Sequence, residues 1–166
     1  MFTSIDNFCT VWQSESQATT RLLENLTEAS LLQPKMNNVR NVGRAAWHIV
    51  TTLPEMGERI GIKVAGVAHT DPVPTEAKAI VEAYRKAAKT VLEAVRSWPE
   101  TDLHIEDDMY GMTWKRGQTL WALVAHEIHH RGQLTVLMRL AGLAVPGIYG
   151  PSQEEWAKIG MTPPQI

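Results

Sequence analysis

The chain has 166 residues, a formal net charge of −2 and a pI near 6.3. Hydrophobic residues make up 44% and charged residues 20%, which is typical of a soluble globular protein and excludes a disordered or fibrous one. The length fits one domain over residues 1–166, and the weak negative charge gives no basic surface for nucleic acid.

The N-terminal residues favour neither a secretion signal nor a membrane span. The stretch MFTSIDNFCTVWQSES has no cationic start and no long apolar run. Cys9 is the only cysteine, so no internal disulfide can form, and a lone thiol suits a reducing compartment. We therefore expect a cytoplasmic protein without a membrane partner, in which Cys9 is a small buried apolar side chain.

Four segments carry apolar residues at helical spacing. The first runs from about Ile5 to Ala29 behind Ser4 as N-cap, and the stretch LLQPKMNN ends it. The second runs from about Val42 to Ile60. We expect a kink at Pro54, because proline lacks the backbone N–H that a helix uses.

The third and fourth segments follow a loop rich in glycine and proline. The third, PTEAKAIVEAYRKAAKTVLEAVRSW, begins with Thr75 as N-cap, and Leu103 to Trp114 forms either a short hairpin or a loose loop. The fourth, from about Gln118 to Leu143, is the least charged and is expected to be central. The tail predicts a short helix behind Ser152 that packs Trp156 on the bundle. The fold class is thus all-α, a four-helix bundle with a short C-terminal helix and room for a small hairpin between helices 3 and 4.

Three of the six histidines lie between residues 126 and 130. His126 and His130 are one turn apart on one helix face, with Cβ atoms separated by roughly 6 Å, so their rings can converge on one metal ion. His48, in the apolar stretch AAWHIV, is the best candidate for a third ligand. The alternative is that these are core histidines satisfied by hydrogen bonds.

The other polar residues near this motif have ordinary explanations. His129 points about 100° away from His130, so we expect it to be exposed or to contact a ligand residue. His69 and His104 are expected on the surface. Gln133 either orients a ligand or packs between helices.

Two residues of the same motif have simple structural interpretations as well. Arg131 is interpreted as a salt-bridged surface residue, and Gly132 as a glycine that permits close helix approach.

The stretch HEIHH also matches H-E-x-x-H, the motif of zinc metallopeptidases, in which the glutamate acts as general base. That hypothesis assigns the base to Glu127 and the third ligand to Glu154 or Glu155. Against it, the third histidine of the metzincin motif would fall at Val136. Nothing before the motif resembles the sheet that binds a peptide by strand addition.

The stretches GRAAWHIV, HEIHHRGQL and GPSQEEW resemble, in order and spacing, the DinB/YfiT-like superfamily of metal-binding four-helix bundles. The resemblance implies that His48, His126 and His130 hold zinc, nickel or a similar divalent ion. It also implies a cytoplasmic protein that is often homodimeric. Characterised members of the superfamily include transferases and isomerases that use a low-molecular-weight thiol.

Three neutral imidazoles leave at least one coordination position open, as in catalytic metal sites. We therefore hypothesise a metal-dependent transferase or hydrolase that acts on a small molecule, with water or a thiol at the open position. Glu127 is a candidate general base, although it follows His126 directly and should point sideways. A dimeric scaffold held by the metal, or a metal sensor, is the non-catalytic alternative.

Overall fold

The computed structural model describes residues 1–165. The helices are α1 (Ile5–Leu23), α2 (Glu28–Leu31), α3 (Val42–Arg59), α4 (Ala77–Arg96) and α5 (Arg116–Leu140). Two antiparallel strands, β1 (Glu106–Met109) and β2 (Met112–Lys115), form a hairpin before α5. Short 3₁₀ helices span Glu100–His104 and Trp156–Ile159. The described chain is therefore mostly helical, with one small sheet.

The four long helices pack around one core. Helix α1 contacts α4 and α5, and α3 contacts the same two helices from the other side. The Trp12 indole Nε1 donates to the carbonyl oxygen of Ala88 at 3.0 Å, which ties α1 to α4 inside the core. Cys9 is buried there, as predicted. Among residues 1–165, no helix combines the length and apolar character that crossing a bilayer requires.

Several predicted elements are confirmed. Ser4 caps α1, because its Oγ accepts a hydrogen bond from the backbone N–H of Asn7 at 3.3 Å. Helix α3 begins at Val42 and continues through Pro54, so the kink expected there stays a prediction. The hairpin alternative is the correct one for the segment before α5, where β1 pairs with β2.

Two predicted helix boundaries are wrong. Helix α1 ends at Leu23 and not at Ala29, because Thr27 and Ser30 form a reciprocal capping box that starts the separate helix α2. Thr75 does not cap the third helix, which begins at Ala77 after Glu76.

The tail also differs from its prediction. Ser152 caps no helix, because the next helical residues begin at Trp156 with Glu155 in the N-cap position. A short 3₁₀ helix follows instead, and Trp156 is half-buried in it.

Helix α5 is less enclosed than its apolar sequence predicts. It contacts α1, α3 and the hairpin on one side. Its other side exposes Trp121, Ile128 and Val136 to solvent. An apolar helix with one face in the core and one face outside has a surface available for a further partner.

We expect Gly117→Ala to lower the free energy of unfolding by about 2 kcal/mol. A Cβ at Gly117 would lie 2.3 Å from the carbonyl oxygen of Phe2, a backbone atom that cannot move aside cheaply. Gly132→Ala, in the same helix, is the matched control: nothing lies within 4 Å of the added methyl group. It should raise stability by up to about 1 kcal/mol, because alanine favours helix. Urea denaturation checks both, and equal effects would contradict the packing argument.

Candidate metal centre

Three histidine rings meet between α3 and α5. His48 comes from α3, and His126 and His130 come from successive turns of α5. Their candidate ligand nitrogens all lie within 4.8 Å of one another, and the Nε2 atoms of His48 and His130 are 3.1 Å apart. The sequence-predicted residues are thus brought together, and they form a group that can hold a metal ion.

The spacing fits an ion with tetrahedral geometry. Two imidazole nitrogens bound to zinc at 2.0–2.1 Å are about 3.3 Å apart at the tetrahedral angle. The separation between His48 and His130 is close to that value. Without an ion the same two nitrogens can share one proton in a hydrogen bond. The same arrangement of the rings therefore fits both the metal-bound and the metal-free site.

Gln133 orients the ring of His130. The His130 Nδ1–H donates to Gln133 Oε1 at 2.8 Å, which leaves the lone pair of Nε2 facing His48. The Gln133 amide in turn donates to Nε2 of the exposed His129 at 2.9 Å. The alternative that Gln133 orients a ligand is therefore the one that the hydrogen bonds favour. His129 contacts the site only through Gln133.

The triad is uncharged near neutral pH. Burial, and after it the positive charge of Arg40, lowers the pKa of His48 to about 3. Burial and the neighbouring His130 lower the pKa of His126 to about 4, and burial also lowers the pKa of His130. Neutral imidazole is the form that binds metals, so none of the three rings has to lose a positive charge before an ion enters, and only the proton shared by Nε2 of His48 and His130 has to move.

The sequence interpretation missed two charged residues beside the triad. Glu55 lies two turns after His48 on α3, and its carboxylate accepts a hydrogen bond from the Tyr110 hydroxyl at 3.0 Å. Its negative charge partly opposes the lowering of the His126 pKa. Arg40 lies in the loop before α3, and its positive charge acts on all three histidines. The spacing of seven residues between His48 and Glu55 was the available signal for Glu55.

Glu127 points away from the triad. It is only 2% exposed, and its Oε1 accepts hydrogen bonds from Thr19 at 2.7 Å and from the Tyr84 hydroxyl at 2.6 Å. Burial raises the pKa of the Glu127 carboxyl, although these two hydrogen bonds oppose the rise. The carboxylate therefore joins α5 to α1 and α4, and this geometry does not favour the role of general base.

Arg131 and Gly132 correct the sequence interpretation. Arg131 is 2% exposed and ion-paired with Glu15 of α1, so it is a core residue and not a surface one. The Tyr149 hydroxyl, from the segment after α5, hydrogen-bonds to the same Glu15 at 2.6 Å. Gly132 faces open space and permits no close helix approach. His69 and His104 are exposed, as expected.

The two glutamates required by the metallopeptidase hypothesis are engaged elsewhere. Glu154 forms an ion pair with Arg139. Glu155 accepts hydrogen bonds from the backbone N–H groups of Gly147 and Ser152 at 3.1 Å. Neither joins the group of candidate ligands, whose third member is His48.

The chain is a helical protein in which histidines of two neighbouring helices converge on a site that could hold a metal ion. The chain belongs to the DinB family, whose model matches residues 1–165. It is 39% identical over 167 residues to the uncharacterized protein YrdA of Bacillus subtilis, with all of both chains covered.

Two crystal structures of DinB-like proteins have the same fold. One, from Bacillus cereus, superimposes with a TM-score of 0.85 at 41% identity, covering 90% of this chain and 100% of that one. The other, YjoA from Bacillus subtilis, has a TM-score of 0.68 at 20% identity, covering 86% and 96%. The second likeness supports the fold alone.

The metal-free protein should become more stable as pH rises from about 4 to 6.5. His48 and His126 titrate near 3 and 4 in the folded state but near 6.5 when unfolded. Between those values the unfolded state binds more protons, so acid favours unfolding. Denaturation in a chelator at several pH values should give a shallower pH dependence for His48→Gln than for wild type.

His104→Gln removes an exposed histidine outside the cluster and is the control for that comparison. Its pH dependence should match that of wild type. Parallel curves for wild type and His48→Gln would contradict the assignment of lowered pKa values to the cluster.

Proposed function

We propose that the protein is a metal-dependent enzyme acting on a small molecule, either a transferase that uses a low-molecular-weight thiol or a hydrolase. His48, His126 and His130 hold a divalent ion, zinc or nickel, inside a four-helix bundle of the DinB type. One observation carries the proposal: three neutral imidazoles converge, and no fourth histidine, cysteine or carboxylate joins them among residues 1–165.

A divalent ion held by His48, His126 and His130 would have an open position, and there it would lower the pKa of a water or thiol so that a nucleophile forms near pH 7. A residue of this chain then has to accept the proton that the water or thiol loses. Glu55 is the carboxylate beside the triad, and we assign it the role of proton acceptor. Tyr110, in the turn of the hairpin, donates to Glu55 and holds its carboxylate in place.

The alternatives have less support. The H-E-x-x-H metallopeptidase motif uses its own glutamate as the base, and here that residue, Glu127, is bonded to Thr19 and Tyr84 inside the core. A closed structural ion would need a fourth protein ligand, which the described residues do not supply. A sensor with an open site is the non-catalytic candidate, and the presence or absence of turnover in the assay below distinguishes it from an enzyme.

The proposed assembly is a homodimer in the cytoplasm. The exposed side chains of Trp121 and Ile128 on α5 offer an apolar surface that a second copy can cover.

We expect His48→Ala to lose most of the bound metal, because it removes one of three ligands and the contribution of α3. Elemental analysis of purified protein should give close to one divalent ion per chain for wild type. Since the ion joins two helices, chelation should also lower the melting temperature of wild type.

Glu155→Ala is the control that separates this site from the metallopeptidase arrangement. It should retain wild-type metal content, because Glu155 binds the backbone of Gly147 and Ser152. Metal loss in Glu155→Ala with retention in His48→Ala would overturn the assigned ligands.

Cobalt-substituted protein should change its visible absorption spectrum when a thiol or azide is added. An open coordination position accepts such ligands, whereas a closed structural ion does not. In Glu55→Gln the same thiol should bind more weakly near pH 7, since the carboxylate that accepts its proton is gone. Glu58→Gln, an exposed neighbour on α3, is the matched control and should bind thiol as wild type does.

An unchanged spectrum with every added ligand would refute the enzyme proposal. Ligand binding without turnover of any thiol and electrophile pair would favour the sensor.

A further inference from the structure

A groove of about 610 Å³ opens beside the metal centre. Its volume lies in the range of roughly 300–1,000 Å³ that small-molecule sites occupy. His130 and Gln133 line one end, so the groove reaches a candidate ligand and the residue that orients it. A molecule lying in the groove can therefore place one atom at the open position of the ion.

The wall of the groove is apolar and carries a single positive charge. Val39, Ala45, Val136 and Leu137 supply the apolar surface, and Arg40 is the only cationic side chain among the lining residues. Val39 and Val136 are largely exposed, which is unfavourable for aliphatic side chains that nothing covers.

The guanidinium of Arg40 has no carboxylate partner. It forms no ion pair within residues 1–165, whereas most arginines of the last three helices, α3 to α5, are paired, including Arg59, Arg85, Arg116, Arg131 and Arg139. An arginine beside a groove presents a flat fork of N–H donors that matches a carboxylate. One unbalanced positive charge suits one carboxylate better than a doubly charged phosphate.

We propose that this groove binds the substrate or cosubstrate of the centre as a carboxylate with an apolar body, whose anionic end pairs with Arg40. The apolar body lies on Val39, Val136 and Leu137, and the reactive end points to His130. The inference rests on the proposed function for the identity of the reactive end, and it adds the class of molecule that the site selects.

Mercaptohexanoate and mercaptohexanol are suitable probes, because they have the same chain and thiol and differ in a carboxylate or a hydroxyl group. Titrated into cobalt-substituted wild type, mercaptohexanoate should bind about fivefold tighter, as a partly exposed ion pair allows. Arg40→Gln should lose this preference while binding mercaptohexanol as before. The preference should also shrink as salt is added.

Arg44→Gln is the matched control. Arg44 lies four residues further along, in α3, and lines a different cavity, so its loss removes the same charge but leaves the groove intact. It should keep the preference for mercaptohexanoate. Equal affinities of the two thiols for wild type, or an equal loss in both arginine variants, would overturn the inference and leave the proposed function standing.

A second measurement works without metal. Hexanoate added to the metal-free protein should shift the NMR signals of the Val39, Val136 and Leu137 methyl groups in wild type and not in Arg40→Gln. Hexanol should shift them less. If no thiol reaches cobalt, the proposed function fails and this measurement alone decides the groove: absent or Arg40-independent shifts refute it.

Discussion

The rotation of α5 about its own axis is the constraint on which the site depends. Glu127 and Arg131 lie one turn apart on one face and are buried against α1 and α4 by hydrogen bonds to Thr19 and Tyr84 and by the ion pair with Glu15. A rotation of α5 would leave these buried polar groups without partners. The combined cost would be several kcal/mol, so α5 is held in one orientation. The residues immediately before them, His126 and His130, are then directed towards α3.

The charge distribution of the centre depends on the half-buried position of its three imidazoles. No acidic residue lies within the triad itself, so desolvation keeps the imidazoles neutral. Charge is instead placed at the edges, with Glu55 on the side of the hairpin and Arg40 on the side of the loop before α3. A site that is neutral in the middle and oppositely charged at its two edges can distinguish the two ends of a ligand.

The histidine pair was predictable from local geometry, because four residues of helix bring two side chains to one face. His48 was predictable from its apolar surroundings, and the hairpin from its turn residues. The burial of Arg131 was not, since its partner Glu15 is far away in sequence. Arg40 was also not predictable, because it lies in a loop, and the path of a loop depends on tertiary contacts and not on periodicity.

The contacts that join α1, α4 and α5 are separate from the histidine triad. Helices α1 and α4 are joined through an apolar core and the hydrogen bond of Trp12, and α5 is tied to them by Glu127 and Arg131. None of these contacts involves the triad. An ion bound between α3 and α5 would therefore strengthen a contact that the core already makes, rather than create the fold as in a zinc finger. We therefore expect the protein to stay folded when the site is empty, because the contacts of Trp12, Glu127 and Arg131 need no ion.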